Sequence, residues 1–315
     1  MLLCRPPGES DKPVLKVDFV DFGFIDKADN FFVDLLQRYF TVVISDRPDL
    51  LFYSDTAGSH LHRLYSCKKV FWTGESILPD FNVCDFAMTP RKIDDPRHCR
   101  LPFYVVGTEC DAKDLIKSPD DAEQVFLQAR HGCGVVISNT GKKASYRKQF
   151  FHKLSGHIEV HSGGRGFNNI GGPIPSGGAS KHDFLRRFRF NMCFENLALP
   201  GYATEKLVEA MWARCIPIYW GDPEIAEQFN PRSLINVSDF ATEEAAIDRI
   251  CEIENNDQLY LAMLKEPFFH GNRPNEFFDL ERYAHFLRSA VESASRPVSG
   301  GRTFFGRWRL AKGMH

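Results

Sequence analysis

The sequence predicts an α/β fold: two Rossmann-like domains, one after the other, facing across a cleft. Three observations predict it. Short apolar runs of strand length alternate with stretches of helical periodicity. The alternation pauses at Lys117-Ser118-Pro119-Asp120-Asp121 and then restarts. The chain has 315 residues, enough for two domains at roughly 150 residues each.

Val14–Val20 alternates apolar and polar residues and reads as the first strand. Asp29 or Asn30 can cap a helix running through Phe40, with Phe31, Leu35 and Leu36 on one face. Strands follow at Thr41–Ile44, Leu50–Tyr53 and Val70–Trp72, and weaker strand patterns at Cys84–Met88 and Leu101–Val106. Runs this apolar fit a buried, mainly parallel sheet. Residues 1–118 make the first domain. In the second, 119–295, Ser118 or Asp120 caps a helix ahead of a strand at Gly134–Ser138. A helix at Ala144–Leu154 and a strand at His157–His161 come next, then a loop rich in Gly and Pro from Ser162 to Ser180. Phe188–Phe194 and Ile216–Trp220 read as strands around a helix at Ala203–Arg214. Leu234–Val237 is a further strand, followed by helices at Glu243–Glu254 and Glu276–Glu292. Residues 296–315 form a basic, aromatic tail.

Composition narrows the class. Forty-three per cent hydrophobic with 25% charged residues excludes a disordered chain. No apolar run approaches the roughly 18 residues of a membrane span. Arg5, Pro6 and Pro7 stand where a signal peptide would be apolar, so the expectation is an untargeted cytoplasmic protein. The nine cysteines are odd in number and form no CxxC pair, which fits reduced thiols rather than a disulfide scaffold. The net charge of −2 hides an asymmetry. Residues 141–190 carry ten Lys or Arg against Glu159 and Asp183, and residues 296–315 carry five cations and no acid. A local positive field on an acidic body points to one anionic ligand, not to nucleic acid.

Several short motifs fail on context. Asp21-Phe22-Gly23 has no glycine-rich loop before it and no HRD motif for a kinase. Gly134 to Gly141-Lys142 has the wrong spacing for a phosphate loop, and Gly164-Arg165-Gly166 the wrong spacing for a dinucleotide fingerprint. His152, His157 and His161 read as structural histidines before metal ligands. No D-x-D triplet is present. Side chains and helix ends would therefore meet the charge of a bound diphosphate.

The informative stretch is Phe188 to Lys206. A strand ends in Glu195-Asn196, and a helix begins near Ala203. That arrangement favours phosphate at the helix start, where Lys206 adds a full charge. Glu205 either accepts hydrogen bonds from sugar hydroxyls or complements the helix dipole. Arg147, on the helix after Ser138-Asn139, either clamps a diphosphate or is one more solvated cation beside Lys142, Lys143 and Lys148. Glu75, closing a strand in Trp72-Thr73-Gly74-Glu75, is either a general base or an exposed loop acid.

At these residues the sequence resembles the α1,3/4-fucosyltransferases in their bacterial form, family 10 of the glycosyltransferases. The carrying motifs are FNMCFEN (190–196), GYATEKL (201–207), IPIYWGDPEI (216–225) and FNPRSLINVSDF (229–240). In the first half they are NFFVDLLQRYF (30–40), PDLLFYS (48–54), KKVFWTGES (68–76) and PDFNVCDFAM (79–88). The likeness runs from about residue 14 to 265 with the motifs in order. Two departures stand out: Ser76 where many relatives have Asn, and Leu197-Ala198-Leu199-Pro200 in place of a polar turn.

The resemblance implies a GT-B enzyme that transfers L-fucose from GDP-β-L-fucose, with inversion, to a GlcNAc hydroxyl of a lactosamine-type oligosaccharide, in α1,3 or α1,4 linkage. It implies Glu75 as the general base and Arg147 and Lys206 as pyrophosphate ligands. It implies Asn196, Tyr202 and Glu205 as residues on the ribose and fucose side of the donor. No metal site is implied, so no cofactor is required and Mn²⁺ or Mg²⁺ is at most a stimulant. Two alternatives stay open: the same scaffold with another nucleotide sugar, and a non-catalytic nucleotide- or glycan-binding protein. The basic segment 141–190 could close over the nucleotide as a lid. The tail Arg302–Lys312 either rests on an anionic membrane at its inner face or is a disordered end.

Overall fold

A computed structural model describes residues 12–138, 141 and 145–298. The basic tail at 302–312 and the cations Lys142 and Lys143 lie outside the described residues. The described chain divides into two compact units. One takes in 12–89, Ile93–Leu101 and 279–298; the other takes in Pro90–Lys92 and Pro102–Phe278.

The first unit is a six-stranded parallel sheet. Its elements are β1 (Val14–Val20), α1 (Phe31–Gln37), β2 (Thr41–Ile44), β3 (Leu50–Tyr53), β4 (Lys68–Trp72), β5 (Phe86–Thr89) and β6 (His98–Arg100). The strand order is β2-β1-β3-β4-β5-β6. Asn30 caps α1, its side chain accepting from the N–H groups of Phe32 and Val33 at 3.0 and 3.2 Å. Its buried face of Phe32, Val33, Leu35 and Leu36 meets stacked rings of the sheet, with Phe32 4.8 Å from Phe52 and Phe52 5.0 Å from Phe19. Part of the chain's 28 phenylalanines make up this aromatic core.

Leu101–Val106 is not a strand. β6 ends at Arg100, and Pro102 starts a short helix, α2 (Phe103–Val106). Proline lacks the N–H a sheet needs but suits a helix start. The run is apolar because Tyr104 is buried, donating its hydroxyl to Gln228 Oε1 at 2.9 Å.

The second unit continues with α3 (Asp121–Gln128), β7 (Arg130–Val135), α4 (Ser145–Ser155), β8 (Val160–Ser162), α5 (Gly178–Leu185), β9 (Phe188–Met192), α6 (Glu205–Trp212), β10 (Ile216–Tyr219), β11 (Ile235–Asn236), α7 (Glu243–Glu254) and α8 (Asp257–Lys265). All pairings are parallel, in the order β11-β10-β9-β7-β8. β7 starts four residues earlier than its apolar run, and β8 starts three later than the expected strand. Gly132, at φ 96°, places the Cys133 N–H on the Glu159 carbonyl at 2.9 Å and sets that register.

The last helix, α9 (Leu280–Glu292), corrects the domain boundaries. Residues 119–295 do not form one domain: the second unit begins near 102, and α9 belongs to the first. The apolar stripe of α9 covers α1, with Tyr283 6.1 Å from Phe31, and Glu281 accepts from Arg38. The break at Lys117–Asp121 is therefore internal to the second unit. Lys117 donates to the carbonyls of Leu264 and Glu266 there. Among the described residues every cysteine is a free thiol, and no helix is long and apolar enough to cross a membrane.

Candidate functional site

In the second sheet the chain leaves β7 for β8 on one side and later places β9 on the other. Loops leaving the carboxyl ends of β7 and β9 diverge there, and this reversal is where open α/β sheets hold ligands. A cavity of about 470 Å³ lies at this point, with Ile137 and Ser138 from the end of β7 and Asn196 from beyond β9. Arg147 of α4, Lys181 of α5, and Glu205, Lys206 and Glu209 of α6 complete its charged wall with Arg165.

Glycine shapes the β8 side. A Cβ on Gly164 would stand 2.1 Å from the Ile137 carbonyl oxygen, so only glycine lets this loop lie against the end of β7. The Gly163 N–H donates to Val135 O at 2.9 Å and the Gly166 N–H to Ile137 O at 2.8 Å. Asn168 and Asn169 fix the loop further: Asn168 donates to the carbonyls of Ser162 and Gly164, and Asn169 accepts from the Ser162 N–H at 2.7 Å. The first half of the glycine-rich loop is thus tied to the sheet.

The charges of the α6 start are organised by Glu195. This carboxylate is fully buried beyond the end of β9. Its Oε1 accepts from the Thr204 N–H at 2.6 Å, and both its oxygens accept from the Thr204 hydroxyl. Thr204 occupies the N-cap position of α6 but makes no side-chain cap bond; its hydroxyl serves Glu195 instead. Lys206 Nζ lies 2.8 Å from the Thr204 hydroxyl, 3.3 Å from Glu195 and 3.3 Å from Glu205. Burial pushes the Glu195 carboxyl up, against the pull of Lys206. Burial alone would lower Lys206, but Glu195 and Glu205 outweigh it and hold its ammonium above the ordinary range. Lys206 is therefore a fixed positive charge. Burial also opposes the charge on Glu205, yet Lys206 and Lys181 hold that carboxyl below its ordinary value.

Arg147 is 3% exposed. Burial lowers its guanidinium while Glu195, Tyr202 and Glu205 support the charge. Its helix is held by rings: Tyr146 lies 4.5 Å from Trp220, and Phe150 lies 4.7 Å from Phe194. The described lining carries four cations, Arg147, Arg165, Lys181 and Lys206, against the carboxylates Glu205 and Glu209. An excess of cations over carboxylates in the lining suits an anionic ligand such as a diphosphate.

Of the residues picked from the sequence, Arg147, Asn196, Glu205 and Lys206 meet on one wall. Tyr202 does not line the cavity; it is 1% exposed, packed where it influences Arg147 and Lys206. Glu75 belongs to the other unit and is exposed, just past β4. Its N–H donates to the Thr73 hydroxyl at 3.1 Å, and Trp72 before it stacks on Phe22 at 5.7 Å. Sequence reasoning missed Glu195, Lys181 and Glu209. An acid closing an apolar strand was the available signal for Glu195. Lys181 was visible only as one of the ten cations of residues 141–190, and Glu209 gave no signal, because their pairing joins two helices. His161 stacks on Phe188 and pairs with Glu159. Among the described residues no group of three His, Cys, Asp or Glu side chains is placed to hold a metal ion.

Comparison with known proteins gives concordant matches. Residues 17–107 match the model of the alpha-(1,3)-fucosyltransferase FucT N-terminal domain. Residues 128–265 match that of the glycosyltransferase family 10 (fucosyltransferase) C-terminal region. The chain is 31% identical over 265 residues to the alpha-(1,3)-fucosyltransferase FucT of Helicobacter pylori, covering 74% of this chain. It spans 54% of that protein's length. A crystal structure of an alpha1,3-fucosyltransferase with GDP-fucose superposes with a TM-score of 0.73 at 26% identity, over 93% of this chain and 95% of that one. Another alpha1,3-fucosyltransferase crystal structure gives 0.77 at 25% identity, over 96% of each chain.

Proposed function

The chain belongs to glycosyltransferase family 10, the fucosyltransferases, with the GT-B fold, and from that premise we propose that it transfers L-fucose from GDP-β-L-fucose to a GlcNAc hydroxyl of a lactosamine-type acceptor. The observation that carries the proposal is the cavity at the β7/β9 reversal, where Arg147 and Lys206 face the same space as Asn196 and Glu205. A diphosphate has two cations to meet there, and the neighbouring hydroxyls of ribose or fucose have an amide and a carboxylate.

The reaction is a single displacement with inversion. The acceptor oxygen forms a bond to fucose C1 as the bond from C1 to the β-phosphate oxygen breaks on the opposite face. Glu75 takes the acceptor proton. The departing GDP gains one negative charge, so cations fixed before the reaction stabilise the transition state more than the ground state. Lys206 suits this role because Glu195 and Thr204 hold its ammonium in place. Tyr202 supports the wall from behind. Side-chain cations carry the charge of the leaving group, and a divalent metal is not required.

A donor panel read by GDP or UDP release, followed by linkage analysis on type 1 and type 2 disaccharides, tests the reading. The expected result is transfer from GDP-fucose, with an α1,3 product on the type 2 acceptor, the linkage for which the similar fucosyltransferases are named. Faster transfer from another nucleotide sugar would replace the donor. GDP binding without any transfer would leave a binding protein.

A further inference from the structure

Lys181 and Glu209 pair across the cavity wall, one from α5 and one from α6. Their side chains are 19% and 12% exposed, and both line the cavity that holds Arg147 and Lys206. A Lys–Glu pair that only joined two helices would not need to face this space. The pair is also not what anchors the start of α5. The Glu109 carboxylate does that, accepting from the N–H groups of Gly178 and Ala179 at 2.8 and 3.1 Å.

We infer that Lys181 is a third cation for the donor diphosphate, held by Glu209 until the phosphates compete for it. This rests on the donor reading above. Glu209 is a poor competitor. It stands one turn from Glu205 on the same helix, and the two like charges disfavour each other. Burial also favours its neutral form, against the pull of Lys181 and Lys206. A diphosphate presents more negative charge and more acceptor oxygens than one carboxylate. The pair thus keeps a lysine extended into the site while denying it a strong partner. Glu209 lowers donor affinity by the fraction of time it occupies Lys181.

Binding of GDP and GMP to the full chain, measured by calorimetry, separates this from a structural role. Lys181→Met should weaken GDP about 10-fold or more and reduce the preference for GDP over GMP. Glu209→Gln should bind GDP more tightly, by about 3- to 10-fold, because Lys181 is released. A scaffold pair predicts the opposite sign for Glu209→Gln, with both variants weakened together. Should Lys181→Met fail to fold, the sign of Glu209→Gln alone decides. Unchanged or weaker GDP binding in Glu209→Gln would overturn the inference. A wild-type chain that does not bind GDP would instead bring down the donor reading, and this role with it.

Discussion

The two sheets share a strand order around their reversal points, but they use those points differently. In the first unit the β1/β3 reversal is filled by the protein itself. Asp21, just past β1, is 5% exposed and takes a left-handed φ of 62°. Its carboxylate accepts from the Ser59 hydroxyl at 2.5 Å, from the N–H groups of Leu61 and His62, and from His62 Nδ1 at 2.6 Å. His62 in turn stacks on Tyr53 at 4.0 Å. In the second unit no such plug stands at the β7/β9 reversal among the described residues. Glycine keeps the loop flat against β7, and cations face the space. Glu75, the base proposed above, lies one strand further along and is exposed.

The largest effect expected from this division of labour falls on Glu75. Glu75→Gln removes the proposed base without changing shape, so kcat should drop about 10²-fold or more. GDP affinity should stay within experimental scatter, since the residues proposed to hold the diphosphate belong to the other unit. Steady-state kinetics with parallel GDP titration checks both halves. Normal turnover would move the base elsewhere.

The next effect belongs to the cavity of the second unit. Lys206→Ala should weaken GDP about 10- to 100-fold, the range for losing a charged hydrogen-bonding group. It also leaves Glu195 buried without its ammonium, so the melting temperature should fall as well. Calorimetric titration beside a thermal melt reads the two together. Unchanged GDP affinity would refute the phosphate role.

This contrast was only half legible in the sequence. Val14–Val20, Thr41–Ile44 and Leu50–Tyr53 were readable because apolar strand runs do not depend on distant partners. Lys206 could be placed at a helix start after a strand from the sequence, a position that favours anions, whereas for Arg147 the sequence left a clamp or a solvated cation open, and its burial beside the cavity speaks against the solvated one. Leu101–Val106 was not, since a short apolar run fits a strand or a buried turn of helix equally well. The return of α9 to the first unit was hidden for a different reason. Its apolar stripe says that it is covered, not by what. Asp21 was invisible because its partners lie some forty residues on, and because a left-handed aspartate leaves no mark in the sequence.

A smaller effect tests the plug in the first unit. Burial works against the charge on Asp21, but bonds from His62, Ser59 and Leu61 hold its carboxyl at about 2. The unfolded chain would titrate this group near 3.9. A folded value below the unfolded one adds stability at every pH above the unfolded value, and that stability is lost as pH falls through the folded value. Asp21 should therefore contribute about 2 kcal/mol above roughly pH 4, lost between roughly pH 4 and 2. Asp21→Asn keeps the left-handed backbone, which asparagine tolerates, and removes the charge. Its melting temperature should lie several degrees lower at pH 7 and converge on wild type near pH 2. GDP affinity should not move, because the residues proposed to bind the donor belong to the other unit. A constant gap between the two melting curves across that range would show that packing, not the carboxylate's charge, holds the loop.

The smallest effect is expected from removing divalent ions. A nucleotide sugar brings two negative charges on its diphosphate, and GDP leaves with about one more. At the cavity proposed for the donor, the lining cations Arg147, Arg165, Lys181 and Lys206 outnumber the lining carboxylates Glu205 and Glu209. The charge that develops on the leaving oxygen then meets cations fixed by the fold, Arg147 in its buried position on α4 and Lys206 on its Thr204 and Glu195 contacts. Such preorganised groups need no reorganisation as the bond breaks. Turnover in EDTA should therefore stay within about twofold of the untreated enzyme, with Mn²⁺ or Mg²⁺ giving at most a modest gain. The same assay on Arg147→Ala sharpens the comparison. If side-chain cations carry the leaving-group charge, that variant should lose most of its activity in EDTA and recover only partly with Mn²⁺. Complete loss of wild-type activity in EDTA, restored by Mn²⁺, would shift the charge-bearing role from the donor-edge side chains to a metal ion.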